Sequence, residues 1–225
     1  MHPPLGRPYA DRDEAGTVLA ELLARRLAGD RAGWDRLLVL GLPRGGVPVA
    51  APVARRLAAP LDVLLVRKVG LPGRAELAMG AVAAIGSRTA VVANHPVLRQ
   101  HGVPPAEFDA ACRAELDTLG QQAIRYRGQR EALELAGRPV VVVDDGLATG
   151  ATVRAAAAML RAAGAGRLAL AVPIGSGPAC QALAAEVDVL VCPWQPLDFR
   201  SVSQAYRDFG QTSDATVIRL LAESG

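Results

Sequence analysis

The sequence predicts an α/β fold: a doubly wound, mainly parallel open sheet with helices on both faces, elaborated by a helical insertion and a C-terminal hood or lid. Three observations predict it. Short, mostly apolar runs of strand length recur; alanine-rich stretches lie between them; and the two kinds alternate along the chain. A strand covered on both faces needs no polar alternation, and strands that alternate with helices pair in parallel through right-handed crossovers.

In chain order, Glu14 to Leu27 places Val18, Leu22, Leu23 and Leu27 at helical spacing with charge opposite, and Gly29 stops it. Leu37 to Leu40 is the first buried strand, closed by Gly41. Asp62 to Val66, Pro139 to Val143, Leu168 to Val172 and Val187 to Val191 repeat that pattern. Val47 to Leu57, Thr152 to Ala163 and Ala179 to Ala185 are the helices between them. Two regions break the alternation. Pro104 to Leu135 is polar and helical, with Ala110, Leu116, Leu119 and Ala123 as its buried stripe, and forms the body of an insertion over 94–135. The segment 193–214 gathers Trp194, Phe199, Tyr206 and Phe209 in a chain with only 4% aromatic residues, and is read as the hood. The whole chain, 1–225, reads as one domain.

Composition narrows the functional classes. With 51% hydrophobic and 21% charged residues, extended disorder is excluded. No run approaches the length of a membrane span and the first residues lack a secretory core, so a cytoplasmic protein without a membrane partner is expected. Cys112, Cys180 and Cys192 are odd in number and far apart, which argues against a disulfide framework or a zinc site. His2, His95 and His101 show no ligand spacing. A net charge of +3 with few aromatics suits a polyanionic small molecule at least as well as nucleic acid.

The chemistry concentrates after Val140 to Val143. The run Asp144-Asp145-Gly146-Leu147-Ala148-Thr149-Gly150-Ala151-Thr152 joins a strand to a helix N-terminus. Gly146 and Gly150 allow a sharp turn and a close ligand approach, while Thr149 and Thr152 place hydroxyls beside amides left free by the first helical turn. That arrangement suits a phosphate monoester. Asp144 and Asp145 repel phosphate, so they face something else, and the hydroxyls of a ribose attached to that phosphate are the natural partners. The alternative is a turn that merely caps the next helix. A Walker loop and a dinucleotide fingerprint both need a spacing that is absent here.

These residues, from Val140 to Thr152, resemble the phosphoribosyl pyrophosphate motif of the type I phosphoribosyltransferases. The resemblance implies that Asp144 and Asp145 contact the ribose hydroxyls and that Gly146 to Thr152 cradle the 5-phosphate. A second anion site is read at Gly41-Leu42-Pro43-Arg44-Gly45-Gly46, where a guanidinium stands among turn residues and Gly45 and Gly46 offer approachable amides. It is similar to the family's pyrophosphate loop, which implies an unusual peptide geometry within Pro43 to Gly45. The stretch Arg67 to Arg74 reads as basic and flexible, and the resemblance, to a family in which a flexible loop closes over the reaction centre, implies Arg67, Lys68 and Arg74 as candidates to steady the leaving group, with Glu76 a candidate to position a metal-bound water.

The implied activity is transfer of a phosphoribosyl group from phosphoribosyl pyrophosphate to a nucleobase-like nitrogen acceptor, in a homo-oligomer. Mg²⁺ would be carried mostly on the substrate, with Asp144 and Asp145 as indirect ligands. Trp194, Phe199 and Tyr206 are candidates to stack on the acceptor, or to pack structurally. Tyr126 and Arg127 are candidates to reach the ligand or to pack. A rival reading keeps the pocket as a sensor in a regulator that binds RNA or a protein through Arg113, Arg125, Arg127 and Arg130. A phosphatase or nucleotide kinase on a similar sheet is a third reading, and it lacks a nucleophile or Walker loop.

Overall fold

The computed structural model describes residues 8–30, 32–85, 88–128, 130 and 134–224, without the side chains of residues 75, 76 and 88. His2 and the side chain of Glu76 therefore lie outside the described set. Five short strands form a parallel sheet in the order β2-β1-β6-β7-β8, with β1 at Leu38–Gly41, β2 at Leu61–Val63, β6 at Val140–Val143, β7 at Leu168–Ala171 and β8 at Val189–Val191. The predicted doubly wound α/β architecture is present. Val39, Val141, Val143 and Ala169 face one core, built with α1 (Arg12–Leu27), α2 (Gly46–Leu57) and α7 (Asp214–Ala222). Leu38, Leu40, Val140, Val142 and Leu170 face the other, with α5 (Ala151–Ala162) and α6 (Gly177–Ala184). Alternate residues of β1, β6 and β7 thus feed two cores, which is why these three strands carry no polar position. Because β1 and β6 are parallel neighbours, with Leu38 opposite Val140, the loops at their carboxyl ends lie side by side.

The expected strand Asp62 to Val66 is two strands. Leu64 donates its amide to the carbonyl of Gly41 at 3.1 Å, and the chain then leaves the parallel sheet. It continues as β3 (Leu65–Leu71), which pairs antiparallel with β4 (Arg74–Ile85), itself paired with β5 (Arg88–Ala93). The stretch expected to be a mobile basic loop is therefore a hairpin, turned at Pro72-Gly73. Leu65, Val69 and Leu71 are buried on one face of this strand, and the exposed Arg67 and Lys68 interrupt the apolar pattern that would have announced it.

Between this second sheet and β6 come α3 (His95–Gln100) and α4 (Pro105–Arg127), within the expected insertion. The buried stripe of α4 is Cys112, Leu119 and Tyr126, with Leu116 and Ala123 partly covered, whereas Ala110 faces out. Spacing of three and four residues selects Cys112 rather than Ala110 as the start of that stripe. Of the four arginines expected to form a basic surface, Arg127 is buried, Arg130 is partly buried and Arg125 is exposed but paired. Arg127 meets Asp62 at 3.2 Å, Arg130 bonds the carbonyl of Leu61 at 3.4 Å, and Arg125 pairs with Asp214 at 3.0 Å. Among the described residues no helix is long and apolar enough to cross a membrane, and all three cysteines are free.

Candidate active site

At the end of β6 the chain turns through Asp144 to Gly150 into α5. Gly150 caps that helix at φ 74°, ψ 2°, a left-handed conformation that side chains disfavour. Among the described residues, the amides of Ala148, Thr149 and Gly150 donate to no other group. Those of Ala151 and Thr152 open the helix and have no intrahelical acceptor. With the exposed Thr149 and Thr152 beside them, they form a donor cluster at the positive end of a helix dipole. Leu147 departs from its expected place in the ligand contact. Its side chain is buried, its N–H donates to the carbonyl of Ile174 at 2.9 Å, and its carbonyl accepts from the N–H of Ser176 at 2.8 Å. It braces the loop instead.

The two acids stand where the central strand ends. One oxygen of Asp144 accepts the N–H of Asp145 at 2.8 Å. Burial, then repulsion from Asp145, holds the Asp144 carboxyl well above the usual carboxylate range. Burial also raises Asp145, against the pull of Arg12. That arginine donates from Nε at 3.0 Å and from one terminal nitrogen at 2.8 Å to the same oxygen of Asp145. Its other terminal nitrogen bonds the carbonyl of Gly210 at 2.8 Å, and its guanidinium lies 4.0 Å from the centre of the Phe209 ring.

Arg12 occupies this place because α1 begins there. Asp11 caps the helix by accepting the N–H of Glu14 at 2.9 Å, and the preceding extended residues are zipped to the hood. Tyr9 donates to the carbonyl of Ala205 at 2.7 Å and accepts from the N–H of Arg207 at 2.8 Å. The hood aromatics form a small core of their own: Tyr9 and Tyr206 are buried, and Trp194, Phe199, Val202 and Phe209 pack against them. Tyr206 donates its hydroxyl to the carbonyl of Asp145 at 2.6 Å, and burial pushes that phenol far above its ordinary pKa.

The loop after β1 carries a cis peptide between Pro43 and Arg44, where the resemblance implies unusual geometry. Its glycines allow the two loops to touch. A methyl on Gly45 would overlap the Asp145 carboxylate, and one on Gly46 would stand 2.6 Å from the carbonyl oxygen of Val143. The Gly46 amide is already given to Leu42 at 2.9 Å, so it is not one of the approachable amides expected there. Arg44 is 40% exposed and 3.8 Å from Asp214. Arg67 pairs with Glu115 of α4 and lines the same cavity as Arg44. Lys68, one residue further along a strand, faces the opposite side, on which α5 packs. Arg74 opens β4 and is exposed.

The family model for the phosphoribosyl transferase domain matches residues 9–202. The chain belongs to that family. A protein of Mycobacterium tuberculosis provisionally named a phosphoribosyl transferase, Rv0571c in strain H37Rv and MT0597 in strain CDC 1551, is 46% identical over 213 residues, or 95% of this chain. The chain spans 46% of the length of those curated relatives. The crystal structure of TT1426 from Thermus thermophilus is 40% identical, with a TM-score of 0.83 over 97% of this chain and 99% of that one. The chain thus carries a phosphoribosyl transferase domain.

Within this phosphoribosyl transferase domain the donor set suits a hard divalent cation, since both acids offer oxygen at the mouth of the phosphate cluster. Among the described residues no three His, Cys, Asp or Glu side chains gather closely enough to hold a metal, and the residues that would hold one here are Asp144 and Asp145. Sequence reasoning did not find Arg12, whose partner is 133 positions away, nor Asp214, which opens α7 beside Arg44. The one local signal for Arg12 was Asp11 followed three residues later by Glu14, which marks a helix start.

Proposed function

We propose that the chain transfers a 5-phosphoribosyl group between phosphoribosyl pyrophosphate and a nucleobase-like nitrogen acceptor, with pyrophosphate leaving and Mg²⁺ required. The carrying observation is the cluster of unbonded amides from Ala148 to Thr152 set directly after two half-buried carboxylates of raised pKa. In this reading Asp144 and Asp145 accept hydrogen bonds from the ribose diol, while Gly146 to Thr152 seat the 5-phosphate with Leu147 as their brace. Arg44, Gly45 and Arg67 surround the leaving group, with Gly46 as the turn that lets their loop approach the acids and Lys68 outside that shell. The bound ion would neutralise charge that builds on the departing pyrophosphate. Residues 193–214 act as a hood that fixes the acids through Tyr206 and Gly210. The enzyme works in the cytoplasm as a homo-oligomer, a state that light scattering reads directly. Incubating the chain with phosphoribosyl pyrophosphate, Mg²⁺ and a panel of nucleobases is expected to release pyrophosphate with at least one base. No release with any base, together with no binding of ribose 5-phosphate, would refute the proposal.

Arg12 acts on this site through Asp145, and Arg12→Met tests that role while keeping an apolar stem over Phe209. Losing two charge-assisted bonds to Asp145 is expected to lower kcat/KM by about tenfold to a hundredfold. Because the guanidinium holds the Asp145 pKa down, the acid limb of the pH profile should move to higher pH in the variant. An unchanged pH profile would reduce Arg12 to a packing residue.

A further inference from the structure

Two of the three free cysteines meet behind the phosphate loop. Cys180 is buried on α6, and Cys192 is half-buried just past β8, where the hood begins. Their side chains converge on Gly175: a methyl there would stand 2.6 Å from the Cys180 sulfur and 3.1 Å from the Cys192 sulfur. The Cys192 thiol has two acceptors in reach, the Cys180 sulfur and the carbonyl of Trp194 at 3.5 Å. Its hydrogen bond holds Cys180 below the ordinary thiol pKa, which favours one thiolate in the pair.

The turn they flank is tied to the phosphate loop. The carbonyl of Ile174 accepts the N–H of Leu147 at 2.9 Å, while Ser176 donates its N–H to the carbonyl of Leu147 at 2.8 Å and its hydroxyl to the carbonyl of Ala148 at 2.7 Å. Between them Gly175 donates to the hood, at the carbonyl of Trp194, 3.0 Å away. A disulfide sets its sulfurs about 2 Å apart, closer than a hydrogen bond between thiols allows, so closing one draws α6 toward β8 across Gly175. Residues 174–176 shift with it, and Leu147 and Ala148 lose the brace that aims the amides.

We propose that Cys180 and Cys192 are an oxidation site, closed to a disulfide by a hydroperoxide, and that closing it weakens the grip of the phosphate loop. The second half rests on the reading that Ala148 to Thr152 seat a phosphate. In the singly protonated pair Cys192, which solvent reaches, passes its proton to Cys180 and attacks one peroxide oxygen; the O–O bond breaks, hydroxide leaves and Cys192 becomes a sulfenic acid. That hydroxide takes the proton from Cys180, whose sulfur attacks that of Cys192; the S–O bond breaks and a second hydroxide leaves. The two sulfurs lose two electrons, and the peroxide becomes water and hydroxide. An added thiol restores the pair by exchange. Disulfides in reducing compartments are typically of this transient, sensing kind.

Treating the intact chain with hydrogen peroxide tests both halves. Peptide mapping without reductant is expected to find Cys180 joined to Cys192 and Cys112 still free, and calorimetry to find ribose 5-phosphate bound about tenfold more weakly, with recovery in dithiothreitol. Cys192→Ser should bind as the reduced wild type does and keep that affinity in peroxide; should it fail to fold, Cys180→Ala gives the same readout. Peroxide that leaves the pair unjoined, or a disulfide that shifts the affinity less than twofold, overturns the inference. A reduced chain that binds no ribose 5-phosphate indicts the phosphoribosyl reading instead, and the mapping still decides the oxidation site.

Discussion

Replacing Asp144 and Asp145 together by Asn is expected to abolish transfer, with a loss of about 10²- to 10⁴-fold, the worth of two charge-assisted hydrogen bonds to the ribose diol. The same change separates function from stability. Both carboxyls have folded-state pKa values raised above the ordinary 3.8, so the folded chain binds more protons than the unfolded one through that interval. Stability is therefore greatest below the ordinary carboxylate value and declines as pH climbs through the raised folded value. Asp144→Asn alone shows this most cleanly, because Asp145 also answers Arg12 and its removal leaves that guanidinium without its partner at the site. At pH 8 the ligand-free Asp144→Asn chain should melt about 2–4 °C above wild type, with the difference vanishing near pH 4. Thermal unfolding at the two pH values and pyrophosphate release report the two halves independently. Turnover equal to wild type would remove the acids from the mechanism; a lower melting point at pH 8 would show that they cap the loop instead.

What was legible in the sequence was local. Val140 to Thr152 declares a strand, a turn and a helix start within thirteen consecutive residues, and the structure places the amides where that order implies. The parallel strands were legible for the same reason, since burial on both faces writes itself as an unbroken apolar run. Pairings between distant residues were not. In β3 the charges of Arg67 and Lys68 mask a half-buried strand whose partner, β4, is set by a turn at Pro72-Gly73 and by the apolar faces of both. Arg12 belongs to the site only because α1 and the hood are zipped together. The arginines of α4 looked like a surface because nothing local announces that Asp62 and Asp214 wait for them. Composition alone leaves the hood aromatics open to stacking or to packing, whereas Tyr206 is committed to packing and to the Asp145 carbonyl.

Arg127→Met is expected to cost about 3–5 kcal/mol at neutral pH, the usual penalty for leaving one member of a buried ion pair behind. Asp62 is 1% exposed, and its carboxyl is pushed up by burial while Arg127 pulls it down. One oxygen takes the N–H of Val63 at 2.8 Å and the other faces Arg127 at 3.2 Å. The pair fastens the end of α4 to β2, and so holds Arg125 and Tyr126 against the cavity at Arg44. Without the guanidinium, Asp62 has less to hold its charge and its pKa rises further, so the variant should regain stability as the pH falls and the carboxyl takes up a proton. Adding Asp62→Asn removes the stranded charge, and the double variant is expected to recover most of the loss. Denaturant unfolding of the two single variants and the double, at pH 5 and pH 8, completes the cycle. A loss that neither falls with pH nor shrinks in the double variant would mean that Arg127 acts through packing of its stem rather than through charge.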